Sequence, residues 1–600
     1  MSKTKLGAWV AAMAWLAASF ALPARADDLA AMRHALEAQY ARLSQAALAG
    51  NLSVLQHLAT SDVTFVLVTG DELDIGQWAG LWRQASNGLE AATIKSELQS
   101  VAVDGDVART VVRVVFEAMI PQGGAKAGLR VEDIDHGTWE RAGSEWRLRR
   151  SATMRNRNWI GDTMIRETIA KPPLEPARRD AIAAELHARA IPLKSVAAGT
   201  GFDDLAALDA VIGDARIVAL GEATHGTAEF FRMKHRLFEY LVERKGFTVI
   251  AFEANWPVVE IADRYVKAGQ GSAAAALKEI GFWVWRTREV RDLIEWMRAY
   301  NSTPGRPKML SFSGFDMQNT QAATACVIDA FGRLGGADAE TIRRNYEGTN
   351  DLYSLMDPIS SDPSAQISDG EKARLRTNVA EALKLVDTRR LSLLQQLSPA
   401  EYRRARQCAV VVAQASLPGA GTEAQIINAR DQAMAGNVRW LAEEAFPNEK
   451  IVLWAHNGHI GAVAEGAGLV TMGQHLRKIY GEQMRIIGFG FDRGEVRSKP
   501  IQHGKLLSGD PIAMKIPAAK PNSAEAVLRA AGLSRFILDL RAVPASSALG
   551  TWLAAPRPLR SIGAGYDADR PWSAYGTTDL AETFDALVFI EESTPSVALE

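Results

Sequence analysis

Several groups able to do acid–base chemistry stand where apolar runs end. Glu222 and His225 follow Ile217-Val218-Ala219-Leu220, and Glu253 follows the run Phe247 to Phe252. Asp316 ends the run Lys308 to Phe315, and His456 and His459 follow Ile451 to Trp454. An imidazole near neutral pKa can take a proton from water. A carboxylate on its far nitrogen fixes the tautomer and favours the imidazolium that forms. Glu222 and His225, three apart in one turn, look like such a base and its orienting partner. A lone carboxylate after a strand is more often a helix cap, so the weight lies in several groups converging.

Other chemistries are less well supported. There is no G-x-S-x-G elbow for a serine nucleophile, no H-E-x-x-H and no glycine-rich phosphate loop. A metal ion remains the competing reading, because His456, His459, His225, Glu222 and Glu253 would make a two-histidine-plus-carboxylate set. Phe282, Trp283 and Trp285, with Trp256 and Trp296, read either as packing or as the wall of an apolar substrate cleft. Packing is favoured for Trp296, whereas Arg286 and Arg288 beside the tryptophans keep the cleft reading open. Asp316 is a helix cap or a partner to the site, and Arg430 with Asp431 is expected to form a structural ion pair. His187, His235, His475 and His503 read as surface or packing residues.

The elements that must position these groups alternate. Apolar runs at 217–220, 247–252, 308–315, 451–454, 485–489, 536–540 and 584–590 are separated by helical segments. This implies α/β architecture with a mostly parallel sheet and flanking helices. Such a sheet brings strand ends together at its carboxyl edge. Residues 321–445 read as a large helical insertion, with loops at 357–366 and 419–421, beside or above that edge.

The chain has 600 residues, so two or three domains are expected. A formal net charge of −2, 47% hydrophobic and 23% charged residues describe a globular protein without the basic footprint of a nucleic-acid binder. Residues 1–26 carry Lys3 and Lys5, an uncharged apolar run from Trp9 to Leu22 and Ala24-Arg25-Ala26. They read as a Sec-type signal peptide cleaved near Ala26, giving a periplasmic or secreted protein with no membrane anchor. The two cysteines, Cys326 and Cys408, either pair in such a compartment or stay apart as small buried residues.

Residues 27–161 form a separate small α+β domain: three helices, then strand-like runs joined by Asp104-Gly105-Asp106 and Ala142-Gly143-Ser144 hairpins. The element order and the ending around Trp146 resemble the cone-shaped nuclear transport factor 2 and SnoaL-like proteins. That resemblance implies a small-ligand enclosure or a dimerisation module, hence a homodimer through this domain as one reading. No convergent acid–base set is expected here; His136 beside Asp135 reads as a turn or strand-start residue. Residues 162–176, with Pro172, Pro173 and Pro176, read as a linker.

Residues 177–600 carry a more specific resemblance. G-E-A-T-H-G at 221–226, F-E-A-N at 252–255, G-F-D-M-Q at 314–318 and W-A-H-N-G-H at 454–459 occur in order. Together with F-W-V-W-R-T-R-E-V at 282–290 and N-A-R-D-Q-A-M-A-x-N at 428–437, they resemble the erythromycin esterase family. The resemblance implies hydrolysis of a macrolide-like lactone ester, as in antibiotic resistance, by an enzyme without a required cofactor or metal. Carried over residue by residue, His225 matches the base that activates water, Glu222 and Glu253 the carboxylates, and His456 the second imidazole. His459 lies close by, Arg286 or His456 would face the carbonyl oxyanion, and Trp256, Trp283, Trp285 and Asp316 would border the substrate. Binding of a small ligand without catalysis is the third alternative. It predicts that binding is lost with the N-terminal domain and kept in His225→Ala.

Overall fold

Ile217–Leu220 is apolar at every position, and both faces of it are buried: Val218 and Leu220 join one hydrophobic cluster, Ile217 and Ala219 the other. This strand lies inside the larger sheet of a computed structural model that describes residues 26–86, 89–122, 125–170, 174–356, 367–417, 423–464, 468–502 and 505–599. The expected signal peptide, the loops at 357–366 and 419–421, and His503 lie essentially outside the described residues. The chain divides into two compact units, one ending at Pro173 and one starting at Leu174.

In the first unit, strands β1 (Ala59–Val66), β2 (Glu72–Leu73), β3 (Glu90–Asp104), β4 (Val107–Gln122), β5 (Ala125–Ala142), β6 (Glu145–Ile160) and β7 (Thr163–Ile169) form one sheet. Its order is β2-β1-β6-β5-β4-β3, with β7 on β6. Helices Ala26–Leu48, Leu52–Leu58 and Ile75–Ser86 precede or interrupt it, as expected for an α+β domain. Tyr40 of the first helix meets Thr110 at 2.6 Å and receives the Trp139 indole N–H at 3.1 Å, which ties helix to sheet. Strand β7 corrects the linker: Thr163–Ile169 pairs with β6 across Gly161-Asp162, inside the stretch read as a spacer. Its residues do not alternate apolar with polar, and Met164, Ile165 and Ile169 stay exposed, so no strand pattern announced it.

In the second unit the strands are β8 (Ile191–Pro192), β9 (Ile217–Leu220), β10 (Phe247–Asn255), β11 (Ser311–Asp316), β12 (Lys450–Trp454), β13 (Met484–Gln502), β14 (Lys505–Leu506), β15 (Ile512–Ile516), β16 (Arg535–Asp539), β17 (Arg557–Arg560), β18 (Gly565–Tyr566), β19 (Tyr575–Thr578) and β20 (Ala586–Ser593). The main sheet runs β11-β10-β12-β9-β13-β20-β16-β8. From β11 to β20 neighbours are parallel. β16 is antiparallel to β20 and to β8, which departs from the parallel expectation at this edge. A run buried on both faces looks the same in either direction, so composition does not encode that reversal.

The segment after β11 is helical as expected: Gln321–Leu334, Gly336–Asn345, Leu352–Met356, Asp369–Thr388, Arg390–Leu393, Pro399–Ala415 and Glu423–Trp440. Cys326 and Cys408 form a disulfide between two of these helices, closing the question the sequence left open. Among the described residues, no helix is long and apolar enough to cross a membrane.

Candidate active site

Strands β11, β10, β12 and β9 are consecutive in the sheet, so their carboxyl ends deliver Asp316, Glu253, His456 and the Glu222–His225 turn to one edge. The turn after β9 is tight for a stated reason. A Cβ on Gly221 would lie 2.1 Å from Asn457 Oδ1, and one on Gly226 would lie 1.8 Å from the Arg497 carbonyl oxygen. Asn457 also bonds both backbone groups of Phe489, fastening the β12 turn to β13.

Glu222 is fully buried, and its two oxygens are shared among three donors. Oε1 lies 2.7 Å from His225 Nδ1. Oε2 accepts the Lys234 ammonium at 2.6 Å and the Trp454 indole N–H at 2.9 Å. Burial pushes this carboxyl up, but Lys234 and His225 outweigh it and hold the pKa at about 2. Glu222 is therefore an anion at neutral pH. Its bond to Nδ1 assigns the proton of His225 to that nitrogen and leaves Nε2 as the free base, without a hydrogen-bond partner among the described residues.

Lys234 is the residue that composition concealed. It is wholly buried on helix Ala228–Lys245, with its ammonium 4.5 Å from the Trp454 ring centroid. Burial lowers it to about 8 against the pull of Glu222. The two partners' shifts favour opposite charge states: Glu222 holds its charge more firmly, Lys234 less. Both are charged at pH 7. The available signal was positional: Phe230, Phe231, Leu237 and Phe238 lie three or four residues away, so Lys234 interrupts an apolar helix face.

Glu253 accepts Arg430 at 2.7 Å on Oε1 and the His456 backbone N–H at 3.0 Å on Oε2. Burial opposes its ionisation, but His459, Arg430 and His225 hold it well below the usual carboxylate range. Arg430 also bonds Asp316 at 3.2 and 2.8 Å, and the surrounding carboxylates raise its pKa despite burial. Asp431 instead faces His459 Nδ1 at 3.0 Å and accepts the Met472 N–H. The expected Arg430–Asp431 ion pair is thus corrected; neighbours on a helix project in different directions.

His459 Nε2 lies 3.0 Å from Arg430 Nη1 and 3.4 Å from Glu253 Oε1. Burial lowers its proton affinity, but Asp431 and Glu253 raise it above the ordinary histidine value. The Arg430 N–H calls for a lone pair on Nε2, whereas the two carboxylates favour the protonated ring, so the contacts at His459 pull in opposite directions. A cavity of about 170 Å³ is lined in part by Ile427, Asp431, His459 and Thr471.

His456 Nδ1 accepts the Gly458 N–H at 3.1 Å. Its proton is therefore on Nε2, a buried donor without a partner among the described residues. Burial, His225 and His459 lower its pKa to about 3, so the ring stays neutral. Its centroid lies 5.1 Å from that of His225. A free base and a free N–H donor thus face the same edge.

The aromatic residues divide. Trp285 is 2% exposed and packs on Phe252 at 4.8 Å; Trp256 is 4% exposed and packs on Trp440 at 4.9 Å. Both fill the core rather than standing open to a cleft, because their rings complete aromatic clusters under the strand ends. Trp296 packs against His235 and Tyr300, as expected. Trp283 is half-buried beneath the Arg497 guanidinium, and Arg286 is half-buried with its Nε unpartnered.

Of the donors in the competing metal reading, the carboxylates and His459 are already engaged, and one nitrogen each of His225 and His456 is not. Both oxygens of Glu222 and of Glu253 hold cations or N–H groups, and His459 is engaged at both nitrogens. Among the described residues no three His, Cys, Asp or Glu side chains converge as metal donors.

The first unit holds a pair that the sequence did not single out. Burial raises Asp133 and Asp135 of β5 to about 6 and about 7, Asp135 also through the charge of Asp133. Asp135 Oδ1 has no partner among the described residues. His136 sits within β5 opposite Val111, not at a turn or strand start.

Comparison with known proteins gives consistent matches. The erythromycin esterase family profile matches residues 242–593, which leaves Glu222, His225 and Lys234 ahead of the match. The putative hydrolase YbfO of Bacillus subtilis is 26% identical over 423 residues, covering 66% of this chain and 88% of that protein. Erythromycin esterase type II of Escherichia coli is 23% identical over 429 residues, covering 68% and 96%. A Bacillus cereus protein of solved structure superposes with a TM-score of 0.60 at 26% identity, covering 70% of this chain and 99% of that one.

Proposed function

The chain belongs to the erythromycin esterase family and is an esterase-type hydrolase, and we propose that it cleaves an ester or lactone with water activated by His225. The observation that carries this reading is the 2.7 Å Glu222–His225 contact, which leaves Nε2 unpartnered 5.1 Å, ring to ring, from a neutral His456. In this mechanism Nε2 takes a proton from water as the oxygen attacks the carbonyl carbon. Glu222 stabilises the imidazolium. The Nε2–H of His456 donates to the oxyanion. The C–O bond then breaks, and the alkoxide leaves with the proton held by His225. Glu253, Arg430, Asp316 and His459 hold the His456 turn in place.

The reaction proposed here uses no metal, and the carboxylates are neutralised by Lys234 and Arg430 instead. A macrolide lactone is the first substrate to try, since a relative is named for it. Export to an oxidising compartment is part of the proposal and is supported by the Cys326–Cys408 disulfide. The test is mass spectrometry of a 14-membered macrolide and of simple aryl esters incubated with purified protein, with and without chelator. A gain of one water that survives chelator and is lost in His225→Ala is the expected result. Turnover that persists undiminished in His225→Ala refutes the mechanism, and loss to chelator transfers the site to a metal.

A further inference from the structure

We propose that Arg497 and Arg286 form a subsite, beside the His225 turn, for an oxyanion group carried by the substrate, such as a carboxylate or a phosphate ester. The inference deepens the esterase reading and rests on it for the word substrate.

Arg497 lies in the outer half of β13 and is only 8% exposed. Its guanidinium makes no hydrogen bond or ion pair among the described residues, and Nη1 is buried without a partner. Five fixed N–H donors and a permanent charge are costly to bury unless something accepts from them. The Trp283 ring, 5.4 Å from its Cζ, accounts for one face of the guanidinium plane and leaves its edge unused.

Arg286 is half-buried, but its Nε is likewise buried without a partner, and its charge bears on Arg497. Burial first, and the charge of Arg286 second, push Arg497 below the ordinary arginine value; Asp510 and Glu289 only partly offset this. Neither carboxylate closes the site. Glu289 spends its oxygens on Arg232 and the Val597 N–H. Asp510 is exposed and makes no ion pair with Arg497. Two like charges held together and unpaired are a cost to the fold that an anion between them would relieve.

The place of the pair relates it to the reaction. The Gly226 carbonyl, next to His225, accepts the Arg497 N–H at 3.0 Å and the Ser596 N–H at 2.8 Å, and the Arg286 carbonyl accepts the Leu599 N–H at 3.0 Å. The His225 turn, the Arg286 segment, β13 and the chain end are thereby sewn along one seam. Three more polar atoms on that seam are buried without partners: Thr227 Oγ1, Trp285 Nε1 and Ser596 Oγ. All three can donate, which suits an oxygen-rich group and not a cation.

Titration calorimetry with sodium sulfate and with malonate, at low ionic strength on the full mature chain, tests this directly. Wild type is expected to bind both, and Arg497→Gln or Arg286→Gln to weaken them by about tenfold or more. Arg288→Gln, an exposed arginine on the same segment, serves as the unchanged control. Arg497→Lys guards against a folding defect: it keeps the charge, and binding should fall between wild type and Arg497→Gln. Paired aryl esters, one neutral and one bearing a carboxylate, then assign the source of the oxyanion. Arg497→Gln should raise KM for the anionic ester by about tenfold and leave the neutral ester nearly unchanged.

Sulfate binding equal in wild type and Arg497→Gln overturns the subsite. Arginine-dependent sulfate binding combined with equal treatment of the two esters overturns substrate recognition and assigns the site to a free anion. Absence of any ester hydrolysis, with arginine-dependent binding retained, sinks the esterase reading and leaves the anion site standing.

Discussion

Replacing Lys234 by Met removes the buried cation that keeps Glu222 ionised while nearly preserving volume. Glu222 moves from an ordinary 4.5 to about 2 in the folded protein. That shift corresponds to roughly 3 kcal/mol in favour of its anion, with Lys234 the largest favourable contributor. A folded-state pKa below the unfolded one means this stabilisation is present above about pH 4.5 and is lost as pH falls towards 2. Without the ammonium, a carboxylate buried beside Trp454 and His225 must either stay charged at a cost of about 3–5 kcal/mol or take up a proton. The first outcome costs stability, and the second weakens the base. A protonated Glu222 no longer stabilises the imidazolium, and kcat/KM should fall by about 10²–10⁴-fold, with the acid limb of its pH profile moved upwards. Lys234→Arg should recover part of the activity, because it restores the charge. The assays are urea unfolding at pH 7 and a kcat/KM profile on an ester that the wild type cleaves. A Lys234→Met protein with wild-type stability and an unmoved acid limb would show that Glu222 does not depend on this cation, and the argument for the site's charge balance would fail.

Three further outcomes are expected. Gly226→Ala places a Cβ 1.8 Å from the Arg497 carbonyl oxygen. It should cost about 1–3 kcal/mol or more, seen in thermal unfolding, together with most of the activity, because the turn carrying His225 must move. Reduction of Cys326–Cys408, which closes a loop with a sequence separation of 82, should lower stability by about 4 kcal/mol in urea titrations run with and without reductant. In the first unit, Asp135 has a folded-state pKa of about 7 against an ordinary 3.8, so it costs stability increasingly as pH rises between those values. Asp135→Asn should therefore raise the unfolding midpoint at pH 8 and leave it little changed at pH 4, as followed by differential scanning fluorimetry.

The residues that were legible in the sequence share a local signature, and those that were not share a distant partner. Glu222 and His225 sit three apart at the end of an apolar run, and the order strand, polar turn, helix announces an exposed sheet edge without knowledge of any other strand. His456 and His459 follow the same rule after β12. Asp316 ends β11 as expected, whereas β10 continues past Glu253 to Asn255; the common dependence of the two on Arg430 was not visible, since that guanidinium reaches back 177 and 114 residues to find them. Lys234 was hidden by its type: lysine is almost never fully buried unless paired, so an isolated reading sends it to the surface. Its pairing with Glu222 becomes visible only once the helix is laid against the sheet. Arg497 was hidden by its strand. Gly488, Gly490 and Gly494 break the apolar pattern of β13, so the sequence marked only its first residues as strand, although the ladder continues to Gln502. In each missed case a charged group stands where the local pattern calls for an apolar one. The fold tolerates a buried charge only where another charge, or a ligand, meets it. For Lys234 and Arg430 the other charge is present in the chain. For Arg497 it is absent from the described residues, and the same rule that explains the first two makes that arginine the place to look for what the enzyme recognises.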